Sequence, residues 1–204
     1  MSQTTSNKVS QLVFSGLREI IGTNELAKIV SRIVQREKET SQKVIHEIPN
    51  LPDSGLGEMQ TILENQFGQK ELQGLMVRSG RASCKFFVKE YGSSMNVTSM
   101  EYRLLPSKKR IMTGLQAAAK QWSELFTAKI SVVDQGDSWF WQETELKMEK
   151  SSDKVSQNCY FTIGLLQEYL SWMSGGKVFS VKKCDLLGQE QVISSLKINK
   201  QPID

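Results

Sequence analysis

Histidine is almost missing from this 204-residue chain: His46 is its only imidazole, and cysteine is limited to Cys84, Cys159 and Cys184. An odd number of thiols argues against a secreted disulfide scaffold and makes reduced cysteines the default. One imidazole and three thiols also leave too few donors for a His-rich metal site. Four prolines and 14 glycines exclude collagen-like or low-complexity character. No apolar run approaches the ~18 residues that span a bilayer. The first apolar segment is broken by Arg18 and Glu19, unlike a signal-peptide core. The charge surplus is small, 26 Lys+Arg against 22 Asp+Glu for a net +4, too mild to indicate a nucleic-acid binder. Nucleotide signatures are missing too, with no G-x-G-x-x-G after a strand and no Walker lysine.

What is present is an ordinary globular mixture, 39% hydrophobic and 24% charged. A chain of this length buries roughly 70% of its unfolded surface, enough for a core without staples. The expectation is a compact, soluble, cytoplasmic protein.

Apolar residues recur at helical spacing through Val9, Leu12, Val13, Leu17, Ile20 and Ile21, and Gly22 stands where that helix would stop. Leu26, Ile29, Val30, Ile33 and Val34 form the stripe of a second helix, capped by Thr23 or Asn24. Pro49 and Pro52 lie in a loop. A third helix carries Leu56, Met59, Ile62, Leu63 and Phe67, and a fourth runs from about Lys70 to Glu90. The middle of the fourth, Ser79-Gly80-Arg81-Ala82-Ser83, is small except for Arg81 and would admit another element closely. Pro106-Ser107 opens a fifth helix with Ile111, Leu115, Ala118, Trp122 and Leu125 on one face. The cations Lys108, Lys109 and Arg110 in its first turn oppose the helix dipole unless something anionic offsets them.

The period then changes to two. Ile130 to Val133 and Ser138 to Leu146 read as a hairpin about Gln135-Gly136-Asp137. A polar stretch, Lys147 to Asn158, precedes an apolar helix, Cys159 to Met173, which is expected to be buried and central. Val178 to Lys183 and Val192 to Ile198 form a second hairpin. The order defines an α+β fold: a twisted antiparallel sheet of about four strands packed by helices, with a helical N-terminal half. One domain spans 1–204, with 1–106 mainly helical and 107–204 arranged helix-hairpin-helix-hairpin.

Few residues suggest chemistry. His46 reads as a solvated histidine, and Glu143 and Glu145, at alternate spacing, as a solvated sheet face. Glu149 completes that carboxylate group. Trp139, Phe140 and Trp141 put aromatics on both faces of one strand, where they either floor a pocket for a flat apolar ligand or fill the core. Cys159 and Cys184 both lie near the expected sheet edge, but two thiols alone make a poor zinc site.

The pattern Cys159-x-x-x-x-Gly164, the helix to Met173, Gly175-Gly176, a strand and Cys184-x-x-x-Gly188 resembles the vinyl-4-reductase domain family. Phe67-Gly68, Gly74, Arg78-Ser79-Gly80-Arg81-Ala82 and Tyr102-Arg103-Leu104-Leu105-Pro106 extend the resemblance from about residue 10 onward. It implies the mixed fold of vesicle-tethering TRAPP subunits and of aromatic-sensing activator domains, commonly as homodimers enclosing a hydrophobic molecule. Metal-binding relatives add Glu and Cys ligands where this chain has Val181 and Val192, so the resemblance implies no zinc and no other cofactor. The function it implies is non-catalytic binding of a hydrophobic or aromatic small molecule, with Trp122, Phe126, Trp139, Trp141, Phe161, Tyr169 and Trp172 as ligand contacts. The alternatives are an accessory subunit or enzyme of tetrapyrrole vinyl reduction, and a tethering-like assembly subunit. A homodimer is also expected because Val9–Ile21 and Leu26–Val34 supply more apolar surface than a compact domain needs.

Overall fold

The computed structural model describes residues 3–38, 55–125, 129–144, 152–184 and 192–203. Within these lie seven helices, α1 (Gln3–Ile21), α2 (Thr23–Lys38), α3 (Gly55–Phe67), α4 (Gln69–Tyr91), α5 (Met100–Arg103), α6 (Ser107–Leu125) and α7 (Ser152–Ser174). Four strands, β1 (Lys129–Gln135), β2 (Ser138–Thr144), β3 (Val178–Lys183) and β4 (Val192–Ile203), form one antiparallel sheet in the order β1-β2-β4-β3. The expected α+β architecture is therefore observed.

Differences of detail have local causes. Gly22 separates α1 from α2 with φ 82, a left-handed conformation that costs glycine nothing and reverses the chain without a longer loop. Helix α7 begins at Ser152, seven residues before Cys159, where the apolar run was expected to start it, because a mainly polar opening remains helical when the rest of the helix is anchored. The short α5 escapes the periodicity argument; it is held by Ser99, whose hydroxyl accepts from the Tyr102 backbone N–H at 3.2 Å. Strand β4 runs to Ile203, well past Ile198, because its partners differ along its length: it pairs with β2 over Val192–Asn199 and with β3 over Leu196–Ile203.

The sheet alternates as period two requires. Trp139 and Trp141 are buried together with their cross-strand partners Ile198 and Leu196, while Phe140 between them is only half-buried. Helices α6 and α7 pack on this side of the sheet, and α4 packs on the far side of α7, with α1 against α4. The small residues of α4 have the role expected of them. A Cβ on Gly80 would overlap the Phe161 carbonyl oxygen of α7, and one on Gly164 would overlap the Val77 carbonyl oxygen of α4. A Cβ on Gly16 of α1 would likewise overlap the carbonyl of Ser79. Helix α4 is thus clasped by backbone on two sides. Along its contact with α7 the neighbours ascend together, Val77 with Gly164, Arg81 with Gln167 and Phe87 with Tyr169, so the two helices run in the same direction.

The N-terminal stripes give the expected homodimer no support, because most of their described apolar residues are used inside the chain. Val9, Leu12, Val13, Leu17, Leu26, Ile29 and Ile33 are all buried within the single chain, while Ile20 is exposed. Arg110 resolves the cationic helix start differently from an anionic partner: its Nε donates to the Met173 carbonyl at 2.7 Å and its Nη1 to that of Arg103 at 3.1 Å. Carbonyls at the negative ends of α7 and α5 thereby offset one of the three cations.

Candidate functional site

Aromatic side chains from four elements meet in an unbroken series. The Trp141 ring on β2 lies 6.5 Å from Trp122 on α6, in edge-to-face geometry. Trp122 meets Phe87 on α4 at 5.5 Å, and Phe87 meets Tyr169 on α7 at 6.0 Å, both edge-on. Tyr169 then stacks on Trp172, one turn further along α7, at 5.8 Å and 14°. The first four rings are almost wholly buried, whereas Trp172 is 41% exposed. Edge-to-face and stacked pairs of this kind add to burial because each ring presents its positive edge or offset face to the next.

The seven residues expected to touch a ligand therefore fall into three groups. Trp122, Trp141, Tyr169 and Trp172 belong to the series. Trp139 and Phe161 are buried apart from it, and Phe126 lies outside the described residues. Trp139 donates its indole N–H to Asp134 at 3.2 Å, and Lys200, paired with Asp134, sits 5.7 Å from the Trp139 ring centre. The hydrogen bond from Lys200, reinforced by its charge and by Trp139, holds the Asp134 carboxyl below its usual range. His46 and Glu145 are also outside the described residues.

Trp172 forms one wall of an open groove of about 790 Å³ between α1, α4 and α7. Ile20, Ala82 and Val88 supply its apolar lining, and the edge of the buried Cys84 reaches its floor. Burial, with a smaller contribution from the Glu168 charge, pushes the Cys84 thiol up to about 12, so it is a neutral, unreactive part of the wall. Four cations of α4, Arg78, Arg81, Lys85 and Lys89, face Glu19 of α1 and Glu168 of α7 across the opening. Arg81 spans to α7, donating from Nε at 3.0 Å and Nη2 at 2.6 Å to the Gln167 side-chain oxygen. Lys85 pairs with Glu19 at 3.0 Å. Arg78 and Lys89 make no ion pair among the described residues.

Phe87 and the cationic row were not singled out from the sequence as site residues. The signal was nevertheless there: positions 78, 81, 85 and 89 follow the three-and-four spacing of one helix face, on the side of α4 opposite its buried stripe. A second groove, of about 510 Å³, lies between α6 and β1, but its lining of Gln116, Lys120, Ser123 and Glu124 offers no aromatic surface.

No family model and no curated protein matches this chain. Solved structures do. An oxygen-binding H-NOX domain related to soluble guanylate cyclases superposes with a TM-score of 0.56 at 14% identity, covering 97% of this chain and 96% of that one. A structure from a study of haem distortion in the H-NOX family gives 0.58 at 16% identity, covering 100% and 97%. The Fe(II) unliganded H-NOX protein from K. algicida gives 0.57 at 10%, covering 93% and 95%. These similarities correct the resemblance drawn from the cysteine and glycine pattern. The vinyl-4-reductase and tethering-subunit reading rested on short glycine and cysteine spacings. Gly80 and Gly164 answer to a close helix crossing, a packing demand that does not specify a family. The readings of tetrapyrrole reduction and of a tethering subunit lose their support with it. In its fold, over nearly the full length of both chains, this protein is similar to H-NOX domains.

Proposed function

We propose that this chain is a non-catalytic binding domain for a small hydrophobic or aromatic molecule, which it takes in the groove between α1, α4 and α7. Trp172 carries the reading. A large ring that is 41% exposed, stacked on a buried tyrosine and set in a concave wall is a surface made ready for another flat ring. Tyr169 would hold Trp172 in place from behind, and Phe87, Trp122 and Trp141 form the packed support of that pair. Of the described residues singled out from the sequence, Trp172 is the one with ring surface still to offer, so we assign it the contact.

The structural neighbours are described as oxygen- and haem-binding, and among the described residues of this chain the buried thiols and the buried phenols offer no ready haem ligand. Haem iron is held by imidazole, thiolate, thioether or phenolate. The single imidazole, His46, is not among the described residues. Burial raises the Cys84 and Cys159 thiols, which disfavours thiolate. The two buried phenols are engaged: Tyr102 donates to the Arg110 carbonyl at 3.0 Å and Tyr169 to that of Gly114 at 3.3 Å. Between α6 and α7 there is also no spare volume at Gly114, where a single added Cβ would overlap Met173 and the Tyr102 hydroxyl.

Calorimetric titration with 2-naphthalenemethanol, a neutral flat probe, tests the proposal. Saturable binding is expected, weakened about tenfold or more in Trp172→Ala, since a ring contact of this size contributes roughly 1–2 kcal/mol. No binding, or unchanged binding by the variant, would overturn it.

A further inference from the structure

We propose that the ligand of this groove is a small aromatic acid, its ring against Trp172 and its anionic group on the cationic row of α4. The proposal rests on the reading of the groove as a binding site and adds the chemical class of what it binds.

Arg78, Arg81, Lys85 and Lys89 occupy a stripe about 80° wide, at 100° of helix turn per residue. Like charges three and four residues apart weaken a helix, and this row contains three such neighbouring pairs. Two of its members are engaged, but only one is neutralised. Lys85 has Glu19, whereas Arg81 spends its hydrogen bonds on the neutral amide of Gln167 and keeps its charge. Arg78 and Lys89 have no ion pair among the described residues. Against these three cations stands Glu168, the one groove carboxylate not occupied by Lys85, and it makes no ion pair among the described residues either.

An incoming carboxylate therefore meets an uncompensated excess of positive charge on an exposed helix face, where the attraction depends on salt. Lys89 and Trp172 both line the groove, so ring and acid can be met together. A neutral ligand would leave this row without a counter-charge. An acidic one relieves the repulsion within α4 as it binds, and an apolar body satisfies the Ile20, Ala82 and Val88 wall.

Paired titrations of the full chain with 2-naphthoate and 2-naphthalenemethanol, identical in ring and differing in charge, decide the matter. The acid is expected to bind about tenfold more tightly at low salt. That preference should shrink towards unity at about 0.5 M salt, where screening is short-ranged. It should also vanish in the double variant Arg78→Gln, Lys89→Gln, read as the ratio of acid to alcohol affinity within that variant. Both positions are exposed, and an unaltered thermal transition would verify that the variant folds. Equal binding of acid and alcohol by the parent chain would overturn the acid and leave the groove. Binding of neither would overturn both.

Discussion

The same substitution at two points of one helix should change stability in opposite directions. Gly74 and Gly80 both lie inside α4, and glycine there costs roughly 0.5–1 kcal/mol relative to alanine through backbone freedom lost on folding. At Gly74, which is exposed, an added Cβ meets nothing within 4 Å. Gly74→Ala should therefore stabilise by about that amount. At Gly80 the added carbon meets the Phe161 carbonyl oxygen and lies 2.8 Å from the Leu165 backbone nitrogen, with the Phe161 carbonyl carbon at 3.0 Å. Backbone atoms do not rotate away as a side-chain tip does, so α7 must shift as a body and loosen its packing against both α4 and the sheet. Overpacking a close-packed interior costs about 1–3 kcal/mol, more than the helical gain returns. The net expectation for Gly80→Ala is a loss of about 1–2 kcal/mol, while Gly74→Ala gains about 0.5–1. Urea unfolding measures both, and an unchanged slope would show that neither substitution alters the surface exposed on unfolding. A Gly80→Ala protein as stable as its parent would refute the close approach of α4 and α7.

Two further expectations concern the interior. Trp141→Ala should cost about 3–5 kcal/mol in the same unfolding assay, because the ring is buried against Trp122 and across from Leu196, and a loss under 1 kcal/mol would mean the site is not packed. Stability should also fall with rising alkalinity. Burial raises Cys84 from 9.0 to about 12 and Tyr102 from 10.0 to about 12, so their contribution is complete below pH 9. From about pH 9 upward the unfolded chain releases these protons before the folded one, and stability declines until about pH 12. Urea midpoints between pH 8 and about pH 11 check the sign, and a Cys84→Ala variant should show a shallower decline.

Local periodicity carried most of the fold, because amphipathic helices and alternating strands declare themselves one segment at a time. Leu26, Ile29 and Ile33 of the α2 stripe, the alternation of Trp139, Phe140 and Trp141, and the small residues of α4 reappear in the roles their spacing suggested. The site was less legible because it depends on distance in space. Trp172 was identified by type alone; it shares its groove with Ile20, which lies some 150 residues away in sequence, a separation no periodicity spans. The homodimer expectation failed to find support for the same reason, since a stripe with no visible partner in the sequence met α4 in the fold. Short glycine motifs misled most. Gly80 and Gly164 record a helix contact, and many unrelated folds make one.

The placement of α4 between α1 and α7 also sets the order in which the molecule is made. Helix α4 ends at Tyr91 and α7 at Ser174, so 83 residues must be added before the second face of α4 has its partner. At typical synthesis rates of 5–20 residues per second, that interval is roughly 4 to 17 seconds. During it Leu72, Leu75, Met76 and Phe87, all buried in the finished fold, lack the cover that α7 brings. The nascent chain thus presents an apolar, glycine-notched helix for far longer than a helix takes to form. Chaperone dependence should follow the arrival of α7 more closely than total length, and a chain cut before Ser152 should accumulate as an aggregating species.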